Sequence, residues 1–136
     1  MIPNGIARYE SVKITTATPG DVLVSLFDGL FKFLHVARHS MNSGDRARAG
    51  ISISKAHAII SELMLSLDDR HAADLCKNLR SIYDFCLFRL TQANRHNQIE
   101  GIDEVLRVLA PIREAFTAAV RQVAATQTLQ PTGSGG

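Results

Sequence analysis

The side chains able to do chemistry in this chain are its five histidines, its two cysteines and its thirteen carboxylates. His35 and His39 are four residues apart, one turn on a helix, and Asp28 projects in a similar direction, which is a spacing that zinc can use. No second cluster completes that shell and all three point to solvent, so no metal site is expected. A di-iron bundle needs Glu-x-x-His on two helices. None of Glu10, Glu62, Glu100, Glu104 and Glu114 is followed by His at the third position.

An exposed helical His also suits a phosphotransfer domain, whose members resemble one another in a His followed closely by Lys and Gly. Here His35 is followed by VARHS and His39 by SMNSG, a poor fit that keeps the phosphorelay as a minor alternative. His57 reads as a partly buried residue at a core edge, and His71 and His96 as corner residues. Cys76 and Cys86 are ten positions apart on one predicted helix. That is about 15 Å along its axis, too far for a mutual disulfide. They read as small buried hydrophobes. With no Gly-rich phosphate loop, no Cys beside a base and no carboxylate pair on one wall, the chain is expected to be a non-enzyme without cofactors.

The elements that position these groups follow from periodicity. Thr18 is a good N-cap, with Pro19 at the first helical position and Asp21 in the first turn, and Leu23, Leu26, Phe27, Leu30, Leu34, Ala37 and Met41 make the core line of a first helix. Phe31, Phe33 and Val36 broaden it. Asn42, Ser43 and Gly44 stop it. Asp45 caps a second helix running to Leu67, with Ile53, Ala56, Ile60, Leu63, Met64 and Leu67 as its core face.

A third helix spans about Ala72 to Arg95, with Leu75, Leu79, Ile82, Cys86, Leu90 and Ala93 as its core line. A fourth takes Ile102, Val105, Leu109, Ile112, Phe116 and Ala119, with Pro111 inside the pattern predicting a kink near residues 107 to 111. The expected fold is an all-α, antiparallel up-down-up-down four-helix bundle with a short N-terminal arm. One domain covers residues 1–125, the arm being 1–17, and 126–136 reads as a disordered tail.

Two lines do not fit a core. Ile51, Ala58 and Leu65 repeat every seven residues nearly opposite the core face of the second helix. On the third helix Phe85 and Phe88 lie off the core face beside Asn78, Ser81 and Gln92, while Tyr83 and Leu87 flank its other edge. A helix apolar on more than one side in a chain of 136 residues keeps a face for a partner. Ile51, Ala58, Leu65, Phe85 and Phe88 are therefore the candidate groove, to be filled by an amphipathic segment. Ile6, Tyr9 and Val12 form a candidate covering arm.

Composition narrows the partners. The chain is 46% hydrophobic and 21% charged with a net charge of +2, an ordinary soluble globular balance. Its basic residues are scattered rather than striped, which argues against nucleic acid. Asp28, Lys32, His35 and Arg38 interrupt its most apolar segment well short of the roughly eighteen residues that span a membrane. MIPNGIARYESVK has no charged region followed by an apolar core, so no secretory signal is expected.

The motifs carry a resemblance. L-x-x-x-L-D, a short corner, then N-L-x-x-I-Y-D-F and R-L-x-x-A-N, within residues 62 to 94, resemble the flagellin-specific export chaperones of the bacterial flagellar secretion system, the FliS family. TATPGDVLVSLFDGLFKFLHVA, residues 16 to 37, resembles the family's opening helix, and Val105 through Phe116 its last. The chain differs from the family pattern at Asp69-Arg70-His71, where glycines are common, at Phe116, where Trp is common, and at Cys86, where Met is frequent.

The resemblance implies a chaperone of the bacterial cytosol that binds the disordered C-terminal segment of flagellin. It would block premature polymerisation and assist delivery to the type III secretion apparatus, with other flagellar export or regulatory proteins as further partners. It adds Tyr83 of the Tyr-Asp motif to the partner-binding set. The competing class is a structural homodimer joined by the same apolar lines, and the expected state is a monomer or a weak dimer.

Overall fold

The computed structural model describes residues 18–129. They form four helices: α1 (Pro19–Asn42), α2 (Arg46–Leu65), α3 (Ala73–His96) and α4 (Ile99–Leu129). Among the described residues there is no strand.

Each start and stop has a local cause. At the head of α1 the Thr18 hydroxyl accepts from the Asp21 amide at 3.1 Å, and the Asp21 carboxylate accepts from the Thr18 amide at 3.3 Å. This reciprocal capping box satisfies two otherwise orphaned donors. Gly44, at φ +81°, supplies the left-handed step that ends the helix. Asp45 then caps α2, its carboxylate accepting from the Arg48 amide at 3.0 Å. Asn97, at φ 54°, makes the turn between α3 and α4.

α2 packs on α1 and α3, and α4 on α3 and α1, so the four helices close into a ring around one core. The α1–α4 pairing is fixed by Arg38 donating to Asp103 and Arg113 donating to Asp28, both at 2.6 Å. Arg89 donates to Glu104 at 2.8 Å between α3 and α4. The floor of the core is apolar and fully buried at Phe27, Leu30, Leu34, Ile60, Leu90, Ile102 and Leu109. At about 25 cal/mol per Å² of apolar area, such side chains stabilise by roughly 1.5–3 kcal/mol each.

Three expectations need correction. On α3 the buried line is Cys76, Leu79, Tyr83, Cys86, Leu90 and Ala93, a strict 3-4 alternation, while Leu75 is 53% exposed and Ile82 half-buried. Leu75 belongs to the first turn, at the end of the bundle. On α2 the helix ends at Leu65, and Leu67 lies in the following turn. α4 contains Pro111, which is exposed, and continues to Leu129, beyond the expected start of the tail at residue 126.

Its second half is less buried than its first, with Ile112 and Phe116 half-buried and Ala119 exposed. Val120 packs against Gly20 at the start of α1. The last two turns of α4 therefore project beyond α1.

Uncharged lines on α2 and α3 as the candidate functional site

The outward line of α2 runs Ala47, Ile51, Ser54, Ala58, Ser61 and Leu65, spaced alternately four and three residues apart. This spacing keeps all six on one stripe opposite the core. None is charged. Ile51 is 59% exposed and Leu65 80% exposed. The outward line of α3 runs Asn78, Ser81, Phe85, Phe88 and Gln92 and is also free of charge. Phe88 is 60% exposed and Phe85 39%.

The opposite layer of the bundle differs. α1 turns Asp21, Asp28, Lys32 and His35 outward, and α4 turns Glu100, Arg107, Glu114 and Arg121 outward, all exposed. An ordinary solvated helix carries charges on the face away from the core. α2 and α3 carry theirs beside these uncharged lines, at Arg48, Lys55 and Glu62 on α2 and at Asp74, Lys77, Asp84 and Arg95 on α3.

Between the two apolar lines runs a small polar groove of about 290 Å³ lined by Ile53, Ser54, His57, Thr91 and Asn94. Arg46 bridges it at one end by donating to the Asn94 carbonyl at 3.4 Å. Antiparallel register across this groove brings Phe88 near the level of Ala58. The site is thus two aliphatic and aromatic ridges flanking a line of hydrogen-bonding groups.

Of the candidate groove residues, Ile51, Ala58 and Leu65 are exposed along α2 and Phe85 and Phe88 along α3. Tyr83 does not share this exposure. Its side chain is 1% exposed and belongs to the core, because it falls in the 3-4 line between Leu79 and Cys86. Burial, and then the neighbouring Cys86, push its hydroxyl up to about 12. Ile6, Tyr9 and Val12 lie outside the described residues. Sequence reasoning missed the polar groove and the contrast between the two layers, although the uncharged heptad from Ala47 to Leu65 was a readable signal.

Several other titratable groups are held in structural contacts. Arg113, besides pairing with Asp28, lies over the Phe31 ring at 4.6 Å and fills the α1–α4 groove. His35 rests beside Phe31 with ring centroids 6.5 Å apart. Among the described residues no three of His, Cys, Asp and Glu gather to hold a metal ion. Burial, and then the charge of Glu104, push the Cys86 thiol up to about 12, so it stays protonated and unreactive near neutral pH. The Cys76 thiol donates to the Asp68 carbonyl at 3.3 Å. Among the described residues no helix is long and apolar enough to cross a membrane.

By fold the chain is an all-α helical bundle, and the face just described has the composition of a surface for protein contacts. Comparison with known proteins sharpens that class. The family model for the flagellar protein FliS matches residues 2–123. The flagellar secretion chaperone FliS of Salmonella typhimurium (strain LT2) is 35% identical over 118 residues, covering 83% of this chain and 87% of its own. That of Bacillus subtilis (strain 168) is 30% identical over 120 residues, covering 88% and 89%. The flagellar secretion chaperone FliSB of Pseudomonas aeruginosa is 30% identical over 113 residues, covering 80% and 90%. The chain belongs to the FliS family of flagellar secretion chaperones, which are chaperones rather than enzymes.

Proposed function

We propose that this protein works in the bacterial cytosol as the export chaperone of flagellin, binding its disordered C-terminal segment and carrying it to the type III secretion apparatus. The observation that carries this reading is the set of large apolar side chains open to solvent on α2 and α3, Ile51, Leu65, Phe85 and Phe88. Such a face suits the apolar side of an amphipathic segment laid along it as a helix. Segments built to pack with one another in a filament associate early unless their apolar sides are covered. A chaperone that covers them in turn keeps them soluble until export. Other flagellar export or regulatory proteins with amphipathic helices are further clients of the same face.

A client that orders on binding loses conformational entropy, so affinity comes from many apolar contacts and depends little on salt. Titration calorimetry of the whole chain against a peptide of the host flagellin C-terminus tests this, with circular dichroism alongside. One-to-one binding with a negative heat-capacity change and a gain in helicity is expected. No heat and no gain in helicity at tens of micromolar would overturn it.

A further inference from the structure

The groove between α2 and α3 holds hydrogen-bonding groups that the chain itself does not use. Ser54, His57 and Asn94 line it, and among the described residues none of their side chains has a hydrogen-bond partner within the chain. Two nearby hydroxyls differ. Ser61 donates to the His57 carbonyl at 3.0 Å and Thr91 to the Leu87 carbonyl at 2.9 Å. Helical hydroxyls bonded back to their own turn need no donor site from a partner. Ser54 and Asn94 are instead open to solvent, and His57 is half-buried.

Register sets the order of the three. A Cβ built on Gly50 would lie 3.6 Å from Oδ1 of Asn94, so Asn94 stands level with Gly50. Ser54 is four residues further along α2 and His57 seven, about 6 Å and 10 Å along the axis. The helices that wall the groove carry the exposed Ile51 and Phe88. A client helix laid on those side chains also covers the polar line between them.

Covering a hydrogen-bonding group without replacing its water costs more than a made hydrogen bond gains. A wholly apolar client would meet that penalty at each of the three positions. A hydroxyl, a neutral imidazole and an amide can each both donate and accept. The complementary group does the same, as a primary amide does. A carboxylate only accepts and an ammonium only donates, and either would have to leave water between two apolar lines.

We propose that this groove selects a client helix carrying a Gln or Asn on its contact face, held by Asn94 and Ser54 with His57 at the inner end. An amide near the level of Ser54 is within about 6 Å, along the axis, of all three. The inference rests on flagellin being the client, and it adds that the contact face is not purely apolar. A segment of equal hydrophobicity without the amide binds more weakly.

Titration calorimetry of the full chain against a peptide of the host flagellin C-terminus tests this, together with the same peptide bearing each Gln and Asn changed in turn to Leu. One of those changes should weaken binding about tenfold, although it adds apolar area. Asn94→Ala and Ser54→Ala should each weaken binding of the unaltered peptide by about three- to tenfold, with circular dichroism unchanged. On Asn94→Ala the sensitive Leu peptide should lose less than about threefold, because its partner is already gone. A merely structural role for Asn94 would instead lower affinity for every peptide alike. No binding of the unaltered peptide by the wild-type chain would overturn the flagellin reading and this inference with it. Binding that tolerates every Leu peptide, that ignores both chain variants, or that loses as much to the Leu change on Asn94→Ala as on the wild type would overturn this inference alone.

Discussion

A Cβ built on Gly101, in the first turn of α4, would stand 2.7 Å from the Cβ of Ala93 on α3 and 2.9 Å from Nη1 of Arg89. The α3–α4 corner turns in two residues, Asn97 and Gln98, which brings the two backbones this close at once. Gly101→Ala gains helix propensity of about 1 kcal/mol, but it forces α4 away from Ala93 and from the adjoining Arg89–Glu104 pair. We expect a net loss of about 1–3 kcal/mol in urea unfolding. Arg89 can swing aside, whereas Ala93 cannot. A loss below about 0.5 kcal/mol would show that the corner relaxes freely.

The head of α3 has the opposite defect. Ala72 precedes it at φ 48°, ψ 56°, with no side-chain cap on the helix. A left-handed residue with a Cβ is strained by about 1–2 kcal/mol, and glycine removes that strain at some cost in unfolded-state entropy. Ala72→Gly should stabilise the chain by about 0.5–1 kcal/mol, read as a higher urea midpoint with unchanged slope.

Burial raises Cys86 from an ordinary 9.0 to about 12 and Tyr83 from 10.0 to about 12. The folded chain therefore holds protons that the unfolded chain releases above pH 9. The contribution of these two groups should be flat below pH 9 and fall from there toward pH 12, by up to about 1.4 kcal/mol per pH unit for each group once its unfolded form is ionised. Urea unfolding at pH 7, 9 and 10.5 reads the slope. Cys86→Ala should flatten it between pH 9 and 10 relative to the wild type, and an identical slope in the variant would count against Cys86 as its source.

How far the sequence carried varied with the physics involved. The capping box of Thr18 and Asp21 and the stop at Gly44 were legible because they depend on a few adjacent residues. The apolar line Ile51, Ala58 and Leu65 was legible because a heptad opposite a core has no packing explanation. Leu75 and Tyr83 were misplaced for one reason. Helical periodicity gives an arc about 100° wide, and choosing its centre needs the neighbours, which put Cys76 and Tyr83 inward and left Leu75 at an open end. The polar groove of His57, Thr91 and Asn94 was illegible, since it exists only once α2 and α3 are registered against each other. Pro111 was expected to disturb α4. It lies on the exposed side of a helix whose assignment continues past it to Leu129.

Phe88 and Tyr83 are five residues apart on α3 and should respond oppositely to substitution. Phe88 is 60% exposed on the uncharged line of α3, whereas Tyr83 is 1% exposed in the core. Tyr83→Ala opens a cavity and should cost about 3–5 kcal/mol of stability. Phe88→Asp should leave thermal unfolding within about 0.5 kcal/mol of wild type, as other exposed substitutions do. It should nevertheless abolish binding of the flagellin peptide, because an unpaired carboxylate would have to be desolvated against the client's apolar side. Calorimetry and thermal melts on both variants separate the two roles. If Phe88→Asp unfolds the chain, that ring carries packing and the face is misassigned. If it binds as wild type does, the client lies elsewhere.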